Sequence, residues 1–290
     1  MYSVLNVTDD ITHCGNLGHV VNEVELACKL ASSYGFDGIN LDIARLIQKR
    51  FTVTDVKQLL GEYQLRPAAF SLDVDMYCRH SEQDYLKSLH TFAEQAAFAH
   101  QVGSDAALFY IPPFSDNLSF NDYFQLMVKR LKQLKPILIE HKIKIGFEFI
   151  GPVETRLTTH YDFIHTIDGV RALIASADLY GYAGFKLDVH HWQYSGAGLL
   201  DLKHLDTEYI VYVELNDALN GYHLFNMPEF TRELPLVTGV TDISGFIQSL
   251  KSKGYEGPVT VEPWNDVIKK MPLQEAIQTV KHSLDQCIAL

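Results

Sequence analysis

Residues 184–198 read GFKLDVHHWQYSGAG, a short apolar strand that runs into Asp188, then two histidines and a glycine-rich loop. Three other strand-like runs end in the same way: KIGFEF carries Glu148, IVYVEL carries Glu214 and PVTVEP carries Glu262. Side chains alternate faces along a strand, and the apolar neighbours of each acid set all four carboxylates on the same face of their strands. Four acids sharing one interior would repel one another by about 3 kcal/mol per pair at roughly 5 Å and an effective dielectric near 20. A bound divalent cation is the simplest way to hold them together.

The rest of the chain supplies strands and helices in alternation. YSVLNV is the first strand, and helical spacing follows up to Gly35. DGINLDI, RPAAFSLDV and DAALFYI read as strands two to four. Helices are expected from Thr54 to Tyr63, from Glu82 to Val102, and from Ser119 or Asn121 through Glu140. In the second half, helices are expected at about 161–175, 199–205, 242–253 and 273–287. Eight strands and eight helices without a linker predict an α/β fold, a (β/α)8 TIM barrel formed as a single domain over residues 1–290. In such barrels the active site lies at the carboxyl ends of the strands, where all four acids fall. A doubly wound open sheet is the alternative, but no glycine-rich phosphate fingerprint follows the first strand.

Composition narrows the function. The chain has 290 residues, 47% of them hydrophobic, which is enough for one large core. A formal net charge of −12 without a basic block argues against a nucleic-acid partner. No apolar run is long enough to span a membrane, and the start lacks signal-peptide character, so a cytoplasmic protein is expected. The four cysteines are scattered and read as reduced and structural. All-oxygen ligands favour Mn²⁺ or Mg²⁺, manganese first, with Co²⁺ or Zn²⁺ as alternatives. A metal among carboxylates can polarise a carbonyl and its neighbouring hydroxyl, acidifying the carbon-bound proton and stabilising an enediolate. Glu148 and Glu262 are the best pair to move that proton. His191, three residues beyond Asp188, is placed to ligate the metal or donate to a substrate oxygen, with His190 its competitor. Lys186 shares the face of Asp188 and reads as an internal counter-charge. Trp192 and Trp264 follow site residues and offer apolar walls for a sugar ring. Tyr222, His223 and Phe225 are read as part of a loop over the barrel mouth, and His13 and His19 as loop histidines.

GFEFIGP, KLDVHHW, VELND and the tail from Arg232 to Trp264 together resemble the xylose isomerase-like barrel superfamily of sugar isomerases and epimerases, over essentially the whole chain. The resemblance implies a metal-dependent sugar or keto-polyol isomerase or epimerase. By it, Glu148, Asp188, Glu214 and Glu262 are the metal positions, His191 is the substrate-contacting histidine, Arg232 reaches substrate oxygens, and Glu148 and Glu262 exchange the proton. The expected partner is a small-molecule sugar or keto-polyol, with a homo-oligomer, dimer or tetramer, by analogy. Two departures stand out: Glu214 occupies a position that is usually histidine, and Leu236, Val237, Thr238, Gly239 replace a Gly-Glu-Gly run. The alternatives are a dehydroshikimate- or keto-inositol-type dehydratase on the same site, a metal-dependent endonuclease, and a non-catalytic sugar-binding barrel.

Overall fold

The computed structural model describes residues 1–8, 17–76, 81–157 and 160–290, the side chain of Leu157 excepted. His13, Cys14 and Cys78 lie outside the described residues. The strands, in chain order, are β1 (Tyr2–Leu5), β2 (Gly38–Ile39), β3 in two pieces (Arg66–Pro67 and Phe70–Ser71), β4 (Ala106–Ile111), β5 (Lys144–Phe149), β6 (Ala183–Asp188), β7 (Ile210–Leu215) and β8 (Pro258–Val261). They form one sheet in the order Arg66–Pro67, β2, β1, β8, β7, β6, β5, β4, Phe70–Ser71, with every pairing parallel. The two ends of that order are the two halves of β3. The sheet therefore closes as a barrel, as the alternation predicts.

Helices lie between successive strands. Thr52, not Thr54, caps the helix Val53–Glu62: its hydroxyl accepts from the Asp55 amide while the Asp55 carboxylate accepts from the Thr52 amide. That reciprocal pair satisfies two amides the helix end would otherwise leave open, and Thr54 sits inside the first turn. Ser119 caps the long helix Phe120–His141, its hydroxyl accepting from the Asp122 amide at 3.2 Å. The helix expected from Tyr161 starts instead at Ile167, because Thr166 caps it. Tyr161–Asp162 pairs antiparallel with Phe114–Ser115 as a small ribbon at the barrel mouth, so the aromatic start of that segment is spent on strand pairing.

The barrel interior is apolar at one end and charged at the other. Val4, Ala68, Ala69 and Tyr212 form a buried cluster, and the Tyr212 hydroxyl donates to Asn40 Oδ1 at 3.2 Å. Two residues further along β7 the same face carries Glu214. The larger core joins the outer faces of the strands to the helices, and Cys28 and Cys287 are buried there as free thiols. Burial pushes both thiols up to about 12, which keeps them protonated and unreactive.

One glycine fixes how the loop after β5 meets the segment after β6. A Cβ on Gly151 would lie 2.2 Å from the His191 carbonyl oxygen and 2.7 Å from the Ser195 amide nitrogen. Only glycine lets those backbones touch. Gly151→Ala is expected to cost about 2 kcal/mol of stability, the range for overpacking a tight site, in urea denaturation. A loss below about 0.5 kcal/mol, within the range of neutral surface changes, would show that this contact does not constrain the fold.

Candidate functional site

The four acids reach one place by simple register. Glu214 pairs with Asp188 across β7 and β6, and Glu148 and Glu262 come from the flanking strands β5 and β8. Glu262 follows the last residue of β8, and its amide donates to the Leu215 carbonyl at 3.0 Å. One oxygen from each of Glu148, Asp188, Glu214 and Glu262 lies within 4.8 Å of the others, and all four residues are buried. Glu148, Asp188 and His191 form a second, overlapping group of the same compactness.

β6 ends at Asp188 because the chain turns at once into the short helix Val189–Tyr194. The Asp188 carboxylate caps that helix, accepting from the His190 amide at 2.6 Å and the His191 amide at 3.3 Å. Asn216 Nδ2 donates to both Asp188 oxygens at 3.2 Å. Leaving the strand lets His191 lean over the acids: its Nε2 is 3.7 Å from Glu148 Oε1 and 3.5 Å from Glu229 Oε1. His190 is buried against the ring of Tyr194, with centroids 4.8 Å apart, and does not line the cavity.

Two cations are built into the cluster. Lys186 Nζ lies 3.0 Å from Glu148 Oε2 and 2.9 Å from Glu214 Oε2. Arg232, wholly buried, donates through one terminal nitrogen to Asp188 Oδ2 at 2.7 Å and Glu262 Oε2 at 2.5 Å. Its other terminal nitrogen donates to Glu229 Oε1 at 3.0 Å and lies 3.3 Å from His191 Nε2. Its Nε donates to the Glu229 carbonyl at 3.2 Å. Each of the four acids thus gives at least one oxygen to a protein cation.

Burial and these charges set the protonation. Burial, reinforced by neighbouring carboxylates against the pull of Lys186, pushes Glu148 up to about 8, and Glu214 likewise to about 8. Burial also raises Glu262 well above the usual carboxylate range. Asp188 is the exception: burial raises it, but the Arg232 guanidinium 2.7 Å away more than offsets this and holds it far below the usual range. Burial pushes His191 down to about 3 and so keeps its ring neutral. Lys186 stays charged: burial opposes the ammonium, but the surrounding carboxylates raise it well above the ordinary lysine value.

Glu148, Glu214 and Glu262, with Lys186, His191 and Arg232, form the floor of a cavity of about 750 Å³ that opens toward the loops, and Asp188 does not line it. Tyr110, Pro113, Phe114, Leu118, Phe230 and Trp264 give it an apolar wall. Trp264 stands edge-on to Phe230, with centroids 5.1 Å apart, and carries Lys269 Nζ 4.6 Å over its ring. Trp192 does not share this role. It is buried edge-on against Phe246, at 5.8 Å, because the helix Val189–Tyr194 turns that position toward the outer helix Ile243–Ser252. Tyr222 and Phe225 are exposed and, with His223, absent from the cavity wall, whereas Glu229 and Phe230 from the end of the same segment do line it. His19 Nε2 donates to the Ile268 carbonyl, 3.3 Å away, outside the cavity.

Three residues that line or brace the cluster carry no signal in the sequence. Glu229, raised by burial to about 7, sits in a loop where no periodicity says which side chains turn inward. Asn216 holds Asp188 from just beyond β7. Asp217 ties down the loop that lacks the Gly-Glu-Gly run, its carboxylate accepting from the amides of Ala218, Thr238, Gly239 and Thr241.

Comparison with known proteins agrees with this architecture. An inosose isomerase of Halalkalibacterium halodurans is 19% identical over 284 residues, covering 98% of this chain and 92% of the relative. A xylose isomerase domain protein from Alicyclobacillus acidocaldarius superposes with a TM-score of 0.79 at 23% identity, covering 92% of this chain and 93% of that one. An IOLI protein with a bound zinc atom superposes with a TM-score of 0.76 at 18% identity, covering 100% and 98%. The model of the xylose isomerase-like TIM barrel matches residues 28–287, and the chain belongs to that family.

Proposed function

We propose that this chain is a divalent-metal-dependent isomerase or epimerase of small neutral sugars or keto-polyols, moving a proton on the carbon next to a carbonyl. The observation that carries this reading is the meeting of Glu148, Asp188, Glu214 and Glu262, the three glutamates of which line a cavity. The likeness to a protein named inosose isomerase supports the substrate class. Among the described residues, Lys186 and Arg232 are the only lysine or arginine lining the cavity, and both are engaged by carboxylates. That favours an uncharged substrate over a phosphorylated one.

The donor set fits a metal. Four ionised carboxylates facing two fixed cations leave two negative charges in excess, which one divalent ion would cancel. Without it the site relieves the excess by raising its glutamates. Glu148, Asp188, Glu214 and Glu262 would hold the ion, and hard oxygen ligands favour manganese over zinc, although the IOLI neighbour holds zinc. When bound, such an ion polarises the substrate carbonyl and adjacent hydroxyl, making the proton between them acidic.

The chain's own groups then do the rest. Glu148 Oε1, buried and without a hydrogen-bond partner among the described residues, takes the carbon-bound proton, leaving an enediolate. Glu262 returns a proton to the same or the adjacent carbon, so that one proton leaves and one arrives. His191, held neutral, donates to or accepts from a substrate oxygen. Trp264 and Phe230 pack against the ring and limit water. A dehydratase would share the first step and differ by expelling a β substituent instead of regaining a proton.

Incubation with a panel of ketoses, keto-inositols and dehydroshikimate in D₂O with Mn²⁺ should yield an isomer or epimer carrying one solvent deuterium at the carbon next to the carbonyl. Glu148→Gln and Glu262→Gln should each lower kcat by about 10³-fold or more while the fold is retained, the loss expected for a group that moves the reacting proton. An alkene product would instead identify a lyase. Turnover unchanged by either substitution would remove the proton-transfer reading.

The raised glutamates also predict a pH effect on the metal-free protein. A carboxyl whose folded value lies near 8 stabilises the fold fully below its ordinary value near 4, and that stability is lost as pH rises toward 8. Asp188 acts in the opposite sense below about pH 4, and His190 and His191, both held down by burial, do so up to their ordinary value near 6.5, so the carboxyl effect stands alone above that. The Tm of chelator-treated protein should therefore fall by about 5 °C or more between pH 6.5 and 8.5, and saturating Mn²⁺ or Glu214→Gln should flatten the slope. A flat profile in the chelator-treated wild type would mean the acids are better hydrated than their burial implies.

A further inference from the structure

β6 lies between β5 and β7, so a long side chain rising from its inward face can touch acids on both neighbours. Lys186 does this: the pairing of Phe147 with Phe185 sets Glu148 beside Lys186, and Tyr212 pairs with Lys186 two residues before Glu214. Its ammonium ends 3.0 Å from Glu148 Oε2 and 2.9 Å from Glu214 Oε2. These are two of the four oxygen-bearing side chains that could ligate an ion. Lysine and metal thus draw on the same acids. Arg232 holds Asp188 and Glu262, but it is pinned by contacts from all three of its nitrogens and has no freedom to leave. Lys186 has a flexible stem, a single point charge, and borders open cavity into which its head can swing.

We infer that Lys186 is a resident counter-ion that competes with the divalent ion for Glu148 and Glu214, so that metal enters only as the ammonium moves off them into the cavity. The inference rests on the reading of the four acids as metal ligands. It explains how the acids stay assembled before an ion arrives, and it makes metal affinity a property of an exchange between two cations. Glu214 suits this arrangement, because a carboxylate can hold an ammonium whereas the histidine usual at that position would repel it when protonated.

The test uses the full chain, stripped by a chelator, titrated with Mn²⁺ and with Zn²⁺ in a calorimeter as wild type, Lys186→Met and Lys186→Gln. Loss of the competing charge should tighten the single-site Kd by about tenfold or more in both variants. In the wild type, the side-chain ¹⁵N signal of Lys186, the only buried lysine of the described residues, should shift as Zn²⁺ reaches one equivalent. That signal decides the matter even if neither variant folds by circular dichroism. A wild type that binds one ion while the variants bind no tighter and the ¹⁵N signal stays put would overturn the competition and leave the metal reading intact. Failure of every form to bind any divalent ion would overturn the metal reading itself, and this inference with it.

Discussion

Carboxylates that lie within 4.8 Å of one another, shielded from bulk water, repel strongly, and the arrangement of this barrel's charged end follows from how that repulsion is offset. Lys186 answers Glu148 and Glu214, and Arg232 answers Asp188 and Glu262. Removing either cation would leave buried like charges facing each other, so the two pairs act as cross-braces between β5, β6, β7 and β8 as well as parts of a site. The acids cannot be treated as a metal centre with two incidental bases nearby. With Lys186 and Arg232 they form one cluster of six ionisable groups.

The cluster is also graded. Asp188 receives two backbone amides, an amide side chain and a guanidinium, and stays ionised. The glutamates, with fewer donors, keep protons to much higher pH. Acids of one chemical type are thereby split into a permanent anion and groups able to carry a proton near neutrality, the division that acid–base chemistry needs. Glu229 belongs with the second kind and reaches both Arg232 and His191.

Rigid loops complete the floor. Asp217 gathers four amides from its own neighbour and from the segment 238–241, and Asn265 Nδ2 bonds the Arg232 carbonyl at 3.0 Å and Glu233 Oε2 at 3.1 Å. These bonds hold the chain on both sides of Arg232, so the guanidinium approaches Asp188 and Glu262 from a fixed direction. The Gly151 contact does the same for the helix that carries His191.

The sequence by itself determined the barrel and the strand ends on which the four acids stand, because both rest on local rules: the two-residue period of a strand, and the alternation of strand and helix along the chain. It also placed Lys186 on the face of Asp188. It misplaced Trp192 and the aromatics of 222–225, and it overlooked Glu229, because a loop or a one-turn helix has no long period from which to read direction. Only the tertiary structure decided how the charges pair. Whether Lys186 meets Glu148, Glu214 or neither depends on the stagger between neighbouring strands, and where Arg232 aims depends on a loop held by Asp217 and Asn265, both far from it in the forces that local sequence can express. Coulomb forces act across space, and their partners are chosen by the closure of the barrel.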